Sequence, residues 1–293
     1  MVWSERQHRM LRAMGLRPST PPGPGGLAAP APSTSTSTST STSTEPPPLP
    51  LTAPSEPGRT VVTAAPVART PQPQARPVQT FEHATATGAL NDRVRALSCL
   101  DWPALRATVS GCTACALSQG RQQTVFGTGH PQARWMVVGE APGEQEDRSG
   151  EPFVGAAGQL LDRMLAALQL TRAEDGPHSL DQRVYITNTL KCRPPRNRNP
   201  LAEESAQCQP FLVRQVELLQ PRIILAMGRL AVQSLLQTDE PIGRLRGLVH
   251  KYQGVPLVVT YHPAYLLRNP LDKAKAWEDL CMAAQVFETG APP

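Results

Sequence analysis

The chain has 293 residues, and residues 1–89 carry +3 of its formal net charge of +5. The ~200 residues that follow suit one globular domain. Their net charge of +2 excludes a generally basic surface, so an anionic partner must meet a local patch. No apolar run has the length of a membrane-spanning helix, and the first residues lack the apolar segment of a secretion signal. We therefore expect a cytoplasmic protein with reduced cysteines and no membrane contact.

Residues 1–89 differ in composition from the rest of the chain. They contain 16 of the 32 prolines and the alternating run Ser33–Thr44, but few large apolar residues. Such a segment cannot bury enough apolar surface to offset the entropy of ordering. We predict a short helix over residues 1–17, a disordered linker over residues 18–89 and a globular domain over residues 90–293. The helix is compatible with a frayed end, with a peptide that binds a protein partner or, as a third alternative, with an arginine-rich transit peptide.

Short apolar runs alternate with helical patterns in the globular part. Continuous apolar runs of this length are typical of buried strands, and apolar residues spaced three and four apart indicate helices. The alternation predicts a three-layer α/β/α domain, in which helices cover both faces of a four-stranded parallel sheet. The predicted strands are residues 134–140, 184–190, 222–228 and 256–263, and the predicted helices are residues 156–170, 202–219, 229–236 and 272–288.

Three polar or irregular segments follow predicted strands. "GEAPGEQED" follows the first strand, "NTLKCRPPRNRNP" the second and "HPAYLLRNP" the fourth. Ligands of parallel sheets bind outside the carboxyl ends of the strands, so we expect the functional site where these segments meet. The chain lacks the glycine motifs of dinucleotide-binding and P-loop proteins, and it lacks the common metalloprotease and serine hydrolase motifs.

The six cysteines include the C-x2-C motif of Cys112 and Cys115. Alone, this motif is compatible with half of a zinc site, a redox pair or chance. Cys192 and Cys208 flank one loop and favour a site of four thiolates, for which spacing does not distinguish zinc from an iron–sulfur cluster. The alternative is that cysteines are small buried apolar groups. That alternative is our interpretation of the remaining two, Cys99 and Cys281.

The loop after Cys192 is rich in arginine and proline. Repelling charges and prolines do not favour folding of this loop alone, but a metal bound at both of its ends would fix it. The same metal would fix the position of Asn188, four residues before Cys192. A charge run is usually a solvated face, but this one adjoins the expected site. Its arginines are therefore candidates for phosphate contacts; they are Arg193, Arg196 and Arg198.

Together these segments resemble family 4 uracil-DNA glycosylases, the iron–sulfur branch of the uracil-DNA glycosylase superfamily. The resemblance covers about residues 105–288 and depends on "GEAPGEQED", "GEPFVGAAGQLLDRML", "YITNTLKCRPP", "HPAYLLRNP" and the four cysteines. It implies an enzyme of base excision repair that flips uracil out of single- or double-stranded DNA and hydrolyses its N-glycosidic bond. We expect a monomer. The resemblance also implies a 4Fe–4S cluster with the ligands Cys112, Cys115, Cys192 and Cys208.

Three residues are candidates for contacts with the flipped base. Phe153 can stack on the pyrimidine, because the glycines and proline around it favour an exposed loop position. The Asn188 amide can accept the N3–H of uracil and donate to O4, and cytosine presents the opposite pattern. His262 can donate to O2 as negative charge develops on the leaving base. The structural alternatives are a core aromatic residue, a strand-end turn residue and a structural histidine.

The residues of the segment "GEAPGEQED" have less specific predicted roles. Glu140 either orients water for attack at C1′ or binds backbone amides in its own turn. The best-known glycosylase family has an aspartate where this chain has Ala141, so the role of that aspartate cannot be carried over. Glu146 is a candidate for closing the space beside C5 of the base. The full predicted substrate-binding set is Glu140, Ala141, Pro142, Glu146, Phe153, Asn188 and His262, of which Glu140, Asn188 and His262 are the predicted catalytic residues.

The segment after His262 is a candidate for a wedge that fills the gap left by the flipped base. The alternative is one turn of an amphipathic helix. Two other functional classes stay open: a relative that holds or traps uracil sites without turnover, and a zinc-clamped module that binds nucleic acid without chemistry. The absence of histidine between Asn188 and Cys208 argues against a covalent trap. The predicted wedge residues are Leu266, Leu267 and Arg268.

Overall fold

A computed structural model describes residues 81–290. The predicted helix over residues 1–17 and most of the predicted linker lie outside this range. The first described element is helix α1 (Phe81–Ser98). Because α1 begins inside the segment predicted to be a linker, the predicted linker end at residue 89 is wrong. Among the described residues, no helix combines the length and apolar content needed to cross a bilayer.

A five-stranded sheet forms the centre of the domain, with the strand order β2-β1-β3-β5-β4. Four strands are parallel, as predicted, whereas β4 pairs with β5 in the antiparallel direction. The sequence "VHKY" of β4 is half-exposed and lacks a continuous apolar run, so its strand was missed. The strands are β1 (Trp135–Gly139), β2 (Val184–Asn188), β3 (Ile223–Met227), β4 (Val249–Tyr252) and β5 (Val255–Thr260).

Helices cover both faces of the sheet and create two apolar cores. Side chains alternate along a strand between the two faces, so Met136 and Val138 of β1 belong to one core and Trp135 and Val137 to the other. The predicted α/β/α architecture is therefore confirmed, with five strands instead of four. The helices after α1 are α2 (Trp102–Ser110), α3 (Leu117–Gly120), α4 (Glu144–Ser149), α5 (Ala156–Ala167), α6 (Ala202–Leu219), α7 (Arg229–Leu236), α8 (Ile242–Leu245), α9 (Pro263–Arg268) and α10 (Lys273–Thr289).

The first core contains side chains of α2, α6 and α7, and the second contains side chains of α5 and α10. The strands β1, β2, β3 and the greater part of β5 are buried, which explains their continuous apolar runs. In the register of β1 with β2, Gly139 lies opposite Asn188. The carboxyl ends of these two strands therefore place their following loops side by side.

Candidate functional site

A cavity of about 440 Å³ lies at the carboxyl ends of the parallel strands. All seven residues of the predicted substrate-binding set line it, although they come from three separate segments of the chain. Two of the predicted DNA-contact residues, Arg198 and Arg268, line it as well. The topology thus brings the sequence motifs together at one concave site, the usual arrangement for a ligand pocket.

Asn188, the last residue of β2, contributes an unpaired amide to the cavity. Its side chain is 2% exposed, yet within residues 81–290 the amide makes no hydrogen bond. A Cβ atom on Gly139 would lie 2.4 Å from the amide oxygen and 2.7 Å from the Phe153 ring. Glycine at residue 139 is therefore what allows the amide and the ring to lie so close together. The amide lines the cavity, so a ligand that enters the cavity can supply the missing partners.

Phe153 is 6% exposed, so the expectation of an exposed loop position is wrong. The ring nevertheless lines the cavity and stacks on His262, with 5.3 Å between ring centroids and an interplanar angle of 25°. Its backbone has the left-handed φ of 56°, which is strained for an aromatic residue. The Arg172 guanidinium donates to the Phe153 carbonyl at 3.2 Å and helps to hold this conformation. The ring is thus fixed at the cavity wall by its surroundings.

His262 precedes α9 and caps its amino end. Its Nδ1 accepts a hydrogen bond from the Ala264 N–H at 3.1 Å, so in the neutral ring the proton is on Nε2. Burial, with a further contribution from the charge of Arg268, lowers the pKa of His262 to about 4. Near pH 7 the residue is therefore a neutral imidazole that can donate one hydrogen bond, from Nε2.

The two predicted carboxylates differ in what they contact. Burial raises the pKa of Glu140, while the charge of Arg229 opposes the shift, and its carboxylate makes no hydrogen bond within residues 81–290. Glu146 instead accepts from the Gly143 N–H at 3.1 Å and from the Val154 N–H at 3.2 Å. Glu140 is thus available to a water molecule or ligand, whereas Glu146 ties two loops of the cavity together. The predicted role of Glu146 beside C5 stays a prediction.

The four predicted metal ligands line one small cavity, which excludes a scattered arrangement. Three of their sulfur atoms accept hydrogen bonds within residues 81–290. Arg93 donates to the Cys112 sulfur at 3.3 Å, Arg121 to the Cys192 sulfur at 3.2 Å, and the backbone N–H of Lys191 to the Cys208 sulfur at 3.2 Å. Cationic donors directed at sulfur suit thiolates that bind a metal or cluster.

Burial raises the pKa of the Cys208 thiol to about 12 and also raises that of Cys192. A metal that binds these sulfurs must therefore displace their protons. Within residues 81–290, no three His, Cys, Asp or Glu side chains are arranged around one point so as to hold a single metal ion. Neither of the two remaining cysteines, Cys99 and Cys281, lines this cavity. Cys99 is exposed and Cys281 is half-buried, so the interpretation of both as buried apolar groups is wrong for Cys99.

A model of the uracil DNA glycosylase superfamily matches residues 126–281, more than half of the chain. The chain belongs to the uracil DNA glycosylase superfamily. Proteins named type-4 uracil-DNA glycosylase are among its relatives. That of Pyrobaculum aerophilum is 39% identical over 62% of this chain and 93% of the relative, and that of Archaeoglobus fulgidus is 41% identical over 55% and 81%. These relatives confirm the resemblance to family 4.

A type-5 uracil-DNA glycosylase from Pyrobaculum aerophilum is also similar, with 34% identity over 48% of this chain and 66% of the relative. Both type-4 relatives show higher identity over a larger share of the chain. The chain is therefore a family 4 member of the uracil DNA glycosylase superfamily.

The three arginines of the loop after β2 differ in whether they already contact an acidic residue. Arg193 donates to Asn197 at 2.8 Å and contacts Glu144 at 3.4 Å, and Arg198 forms an ion pair with Glu204 at 2.5 Å. The remaining arginine, Arg196, is exposed and makes no ion pair within residues 81–290. Two of the three predicted phosphate contacts are thus already compensated by acidic residues, which reduces their availability to DNA.

The predicted wedge needs correction, because Leu266 is 1% exposed and belongs to the core beneath α9. A residue packed there cannot enter DNA without disrupting that core. Its neighbour Leu267 is 45% exposed and Arg268 is also exposed, so both stay candidates. Sequence reasoning missed Leu271, which is 92% exposed in the turn that follows α9.

The turn that presents Leu271 is held by polar contacts. The Tyr265 hydroxyl donates to the Asp272 carboxylate at 2.7 Å, and Lys275 forms an ion pair with Asp272 at 2.8 Å. Pro270 fixes φ at the first position of the turn. An apolar side chain on a fixed turn next to Arg268 is suited to insertion between bases.

Asn197 is a second residue that sequence reasoning missed. It lines the cavity, accepts the hydrogen bond from Arg193 and has a left-handed φ of 54°. Asparagine tolerates this conformation better than most residues. The sequence "RNRNP" indicates only a turn. Its local pattern does not predict that the turn lies beside the cavity.

Proposed function

We propose that this protein removes uracil from DNA by hydrolysing the N-glycosidic bond of a flipped nucleotide, which leaves an abasic site for repair. The observation that supports this proposal is the Asn188 amide. It is buried, it has no hydrogen-bond partner within residues 81–290, and it lines a cavity beside Phe153 and His262. An amide needs both an acceptor and a donor from its ligand, and one edge of uracil supplies that pair.

Base selection follows from this hydrogen-bond pattern. The amide oxygen of Asn188 accepts the N3–H of uracil, and the amide nitrogen donates to O4. Cytosine has an acceptor at N3 and a donor at N4, so it would leave both ends of the amide unpaired. Each unpaired buried group costs about 1–3 kcal/mol. Phe153 supplies the flat surface on which the flipped ring stacks.

Bond cleavage requires stabilisation of the leaving uracil anion. His262 donates from Nε2 to O2 of the base, because Nδ1 is occupied by the Ala264 N–H. A neutral donor fixed before the reaction stabilises the developing charge without reorganisation. Glu140 orients the attacking water, which its unpaired carboxylate at the cavity wall allows. The C1′–N1 bond breaks with its electron pair on uracil, the water oxygen bonds to C1′, and the proton that this water loses neutralises the uracil anion.

We also propose that Cys112, Cys115, Cys192 and Cys208 hold a 4Fe–4S cluster. When bound, such a cluster would act as a structural cross-link between distant segments of the chain. The shared cavity and the donors aimed at three sulfur atoms support this assignment. Two of the ligands lie at the ends of the arginine-rich loop, so the cluster would fix the loop that follows Asn188.

We expect protein purified without oxygen to be brown and to contain about four iron atoms and little zinc per chain. Replacing Cys192 by alanine should remove the colour and most of the iron, because this change removes one of the four ligands. The matched control is Cys99→Ala, which should keep both. Iron and zinc analysis with visible absorption provides the measurement. A colourless protein with one zinc per chain would contradict the cluster.

We propose that exposed residues of two segments that contribute to the cavity, the loop after β2 and the segment after His262, form the DNA-binding face. Arg196 and Arg268 are the arginines best placed for phosphate contacts, since Arg193 and Arg198 already contact acidic residues. Leu271 is our candidate for the side chain that fills the gap left by the flipped base. Leu267 is also exposed and is the second candidate for this role.

We expect Leu271→Ala to lower kcat/KM on double-stranded uracil DNA by about tenfold, because flipping from a duplex costs a few kcal/mol of stacking and pairing. On single-stranded DNA the loss should be much smaller, since no duplex gap forms. The matched control is Leu248→Ala, which removes another exposed leucine, 55% exposed and outside the cavity. Equal losses on both substrates would contradict the wedge.

The direct test of function uses an oligonucleotide with a single uracil, followed by alkali. Strand cleavage at the uracil in excess of enzyme supports the proposal. An adduct in a one-to-one ratio would indicate a trapping protein, and binding without cleavage would indicate a non-catalytic module. The same oligonucleotide with cytosine in place of uracil is the control and should stay intact.

Three expectations from the sequence stay proposals. They are a monomeric state, a cytoplasmic location associated with the nucleoid and a protein partner for residues 1–17. Light scattering of the purified protein with and without DNA tests the first of them.

A further inference from the structure

Lys191 is almost completely buried, which is rare for a lysine. Its side chain is 1% exposed. The amine donates to the Thr187 hydroxyl at 2.6 Å, to the Asn188 carbonyl at 2.7 Å and to the Gln215 amide oxygen at 2.7 Å. A protonated amine has three donors, so these three oxygens satisfy it completely.

The three acceptors are themselves fixed. The Thr187 hydroxyl and the Gln215 amide nitrogen each donate to the Phe126 carbonyl at 2.9 Å. The amide nitrogen of Gln215 also donates to the Tyr185 hydroxyl at 3.3 Å. The lysine therefore belongs to a satisfied polar network that joins β2, α6 and the segment before β1, and such networks specify one arrangement of the groups they contain.

The same residue connects the two candidate sites. Its backbone N–H donates to the Cys208 sulfur at 3.2 Å, and its backbone carbonyl accepts from the Val125 N–H at 2.8 Å. Its side chain returns to the carbonyl of Asn188, whose own amide has no partner within residues 81–290. The orientation of that amide therefore depends on packing against Gly139 and on where the backbone of Asn188 is held.

We propose that Lys191 is a positioning residue for base recognition: its amine holds the Asn188 carbonyl and so sets the orientation of the amide that reads the base. This inference depends on the proposed function of the cavity. The hydrogen bond from the amine to this carbonyl lies inside a buried network, so it restricts where the Asn188 backbone can lie. Loss of this bond allows the Asn188 backbone to shift, and the amide no longer matches uracil.

The test is Lys191→Met, which keeps the length of the side chain and removes the donors. Free uracil, the product, serves as one competitive inhibitor, and abasic DNA serves as a second. We expect the inhibition constant of uracil to rise by about tenfold or more, with that of abasic DNA unchanged, because abasic DNA has no base for Asn188 to contact. The matched control is Lys251→Met, an exposed lysine on β4 outside the cavity.

A lysine with only a structural role gives a different result. Lys191→Met would then lower the melting temperature or the iron content but leave the inhibition constant of uracil unchanged in the folded fraction, and this outcome would overturn the proposal. If the methionine variant does not fold, Thr187→Val replaces it. This variant removes one acceptor, so we expect a smaller rise, of about two- to fivefold, and an unchanged constant would again overturn the proposal.

The proposed function and this inference fail in different ways. If the unmodified protein does not cleave uracil DNA and does not bind free uracil, the proposed function fails. If the unmodified protein does both and Lys191→Met behaves in the same way, only the positioning role fails.

Discussion

Asn188→Ala is expected to lower kcat/KM on uracil DNA by about 30- to 10⁴-fold, because two hydrogen bonds to the base are lost at about 1–3 kcal/mol each. The free energy of unfolding should hardly fall. The amide has no hydrogen-bond partner within residues 81–290, so its removal breaks no contact of that kind in the folded protein. Loss of activity without loss of stability distinguishes a ligand-binding residue from a structural one.

Single-turnover cleavage of a uracil oligonucleotide measures the first effect, and urea unfolding measures the second. Asn199→Ala is the matched control, since Asn199 is exposed and does not line the cavity. Asn188→Asp adds a test of the pattern, because a carboxylate cannot donate to O4 and should not restore activity on uracil. Nearly full activity of Asn188→Ala would contradict the assignment of this residue.

His262→Ala should reduce kcat by about 10²–10³-fold with little change in KM, because the lost donor acts mainly on charge that develops in the transition state. The matched control is His250→Ala. The ring of His250 contacts the Leu245 carbonyl at 2.8 Å and does not line the cavity, so this change should leave kcat unaffected. Equal effects of the two changes would argue that His262 has only a structural role.

The protonation of His262 also predicts how cleavage depends on pH. His262 has a pKa of about 4, lowered by burial and by Arg268, so it stays neutral as the pH falls from 8 to about 5.5. A histidine with the ordinary pKa of about 6.5 would be mostly protonated at pH 5.5 and would lose its neutral form. We expect no loss of cleavage through His262 in that range. An imidazole NMR signal that is missing in His262→Ala and titrates near pH 6.5 would contradict this expectation.

The lowered pKa of His262 should also make the free energy of unfolding depend on pH. Unfolded His262 takes up its proton near pH 6.5, whereas the folded residue does so near pH 4. Between these values the unfolded state binds more protons. The contribution of His262 therefore lowers the free energy of unfolding as the pH falls from about 6.5 to about 4, and His262→Ala should weaken this dependence.

The sequence predicted four of the five strands because buried parallel strands have continuous apolar runs. All seven residues of the predicted substrate-binding set line the cavity, since the carboxyl ends of parallel strands lie at one edge of the sheet, whereas Asn197 was missed. The antiparallel edge strand β4 was missed for the opposite reason. With one face toward solvent, its four residues include Lys251 and His250 and do not form an apolar run.

Residue exposure was harder to predict than residue position. Leu266 and Leu267 are adjacent and equally apolar, and only the packing of α9 determines that the first is buried and the second is exposed. The ion pairs of Arg193 and Arg198 with acidic residues were also not predicted from the sequence. Glu144 is far from Arg193 in the sequence, so a local charge count overestimated the free basic charge of the loop.

The missing side chain at Gly139 restricts how this enzyme can diverge. A single methyl group there would collide with both Asn188 and Phe153, so the three residues share one small volume. A side chain at residue 139 therefore requires smaller or displaced side chains at residues 153 and 188. We therefore expect substitution of Gly139 to be tolerated only together with changes at the two residues that contact the base.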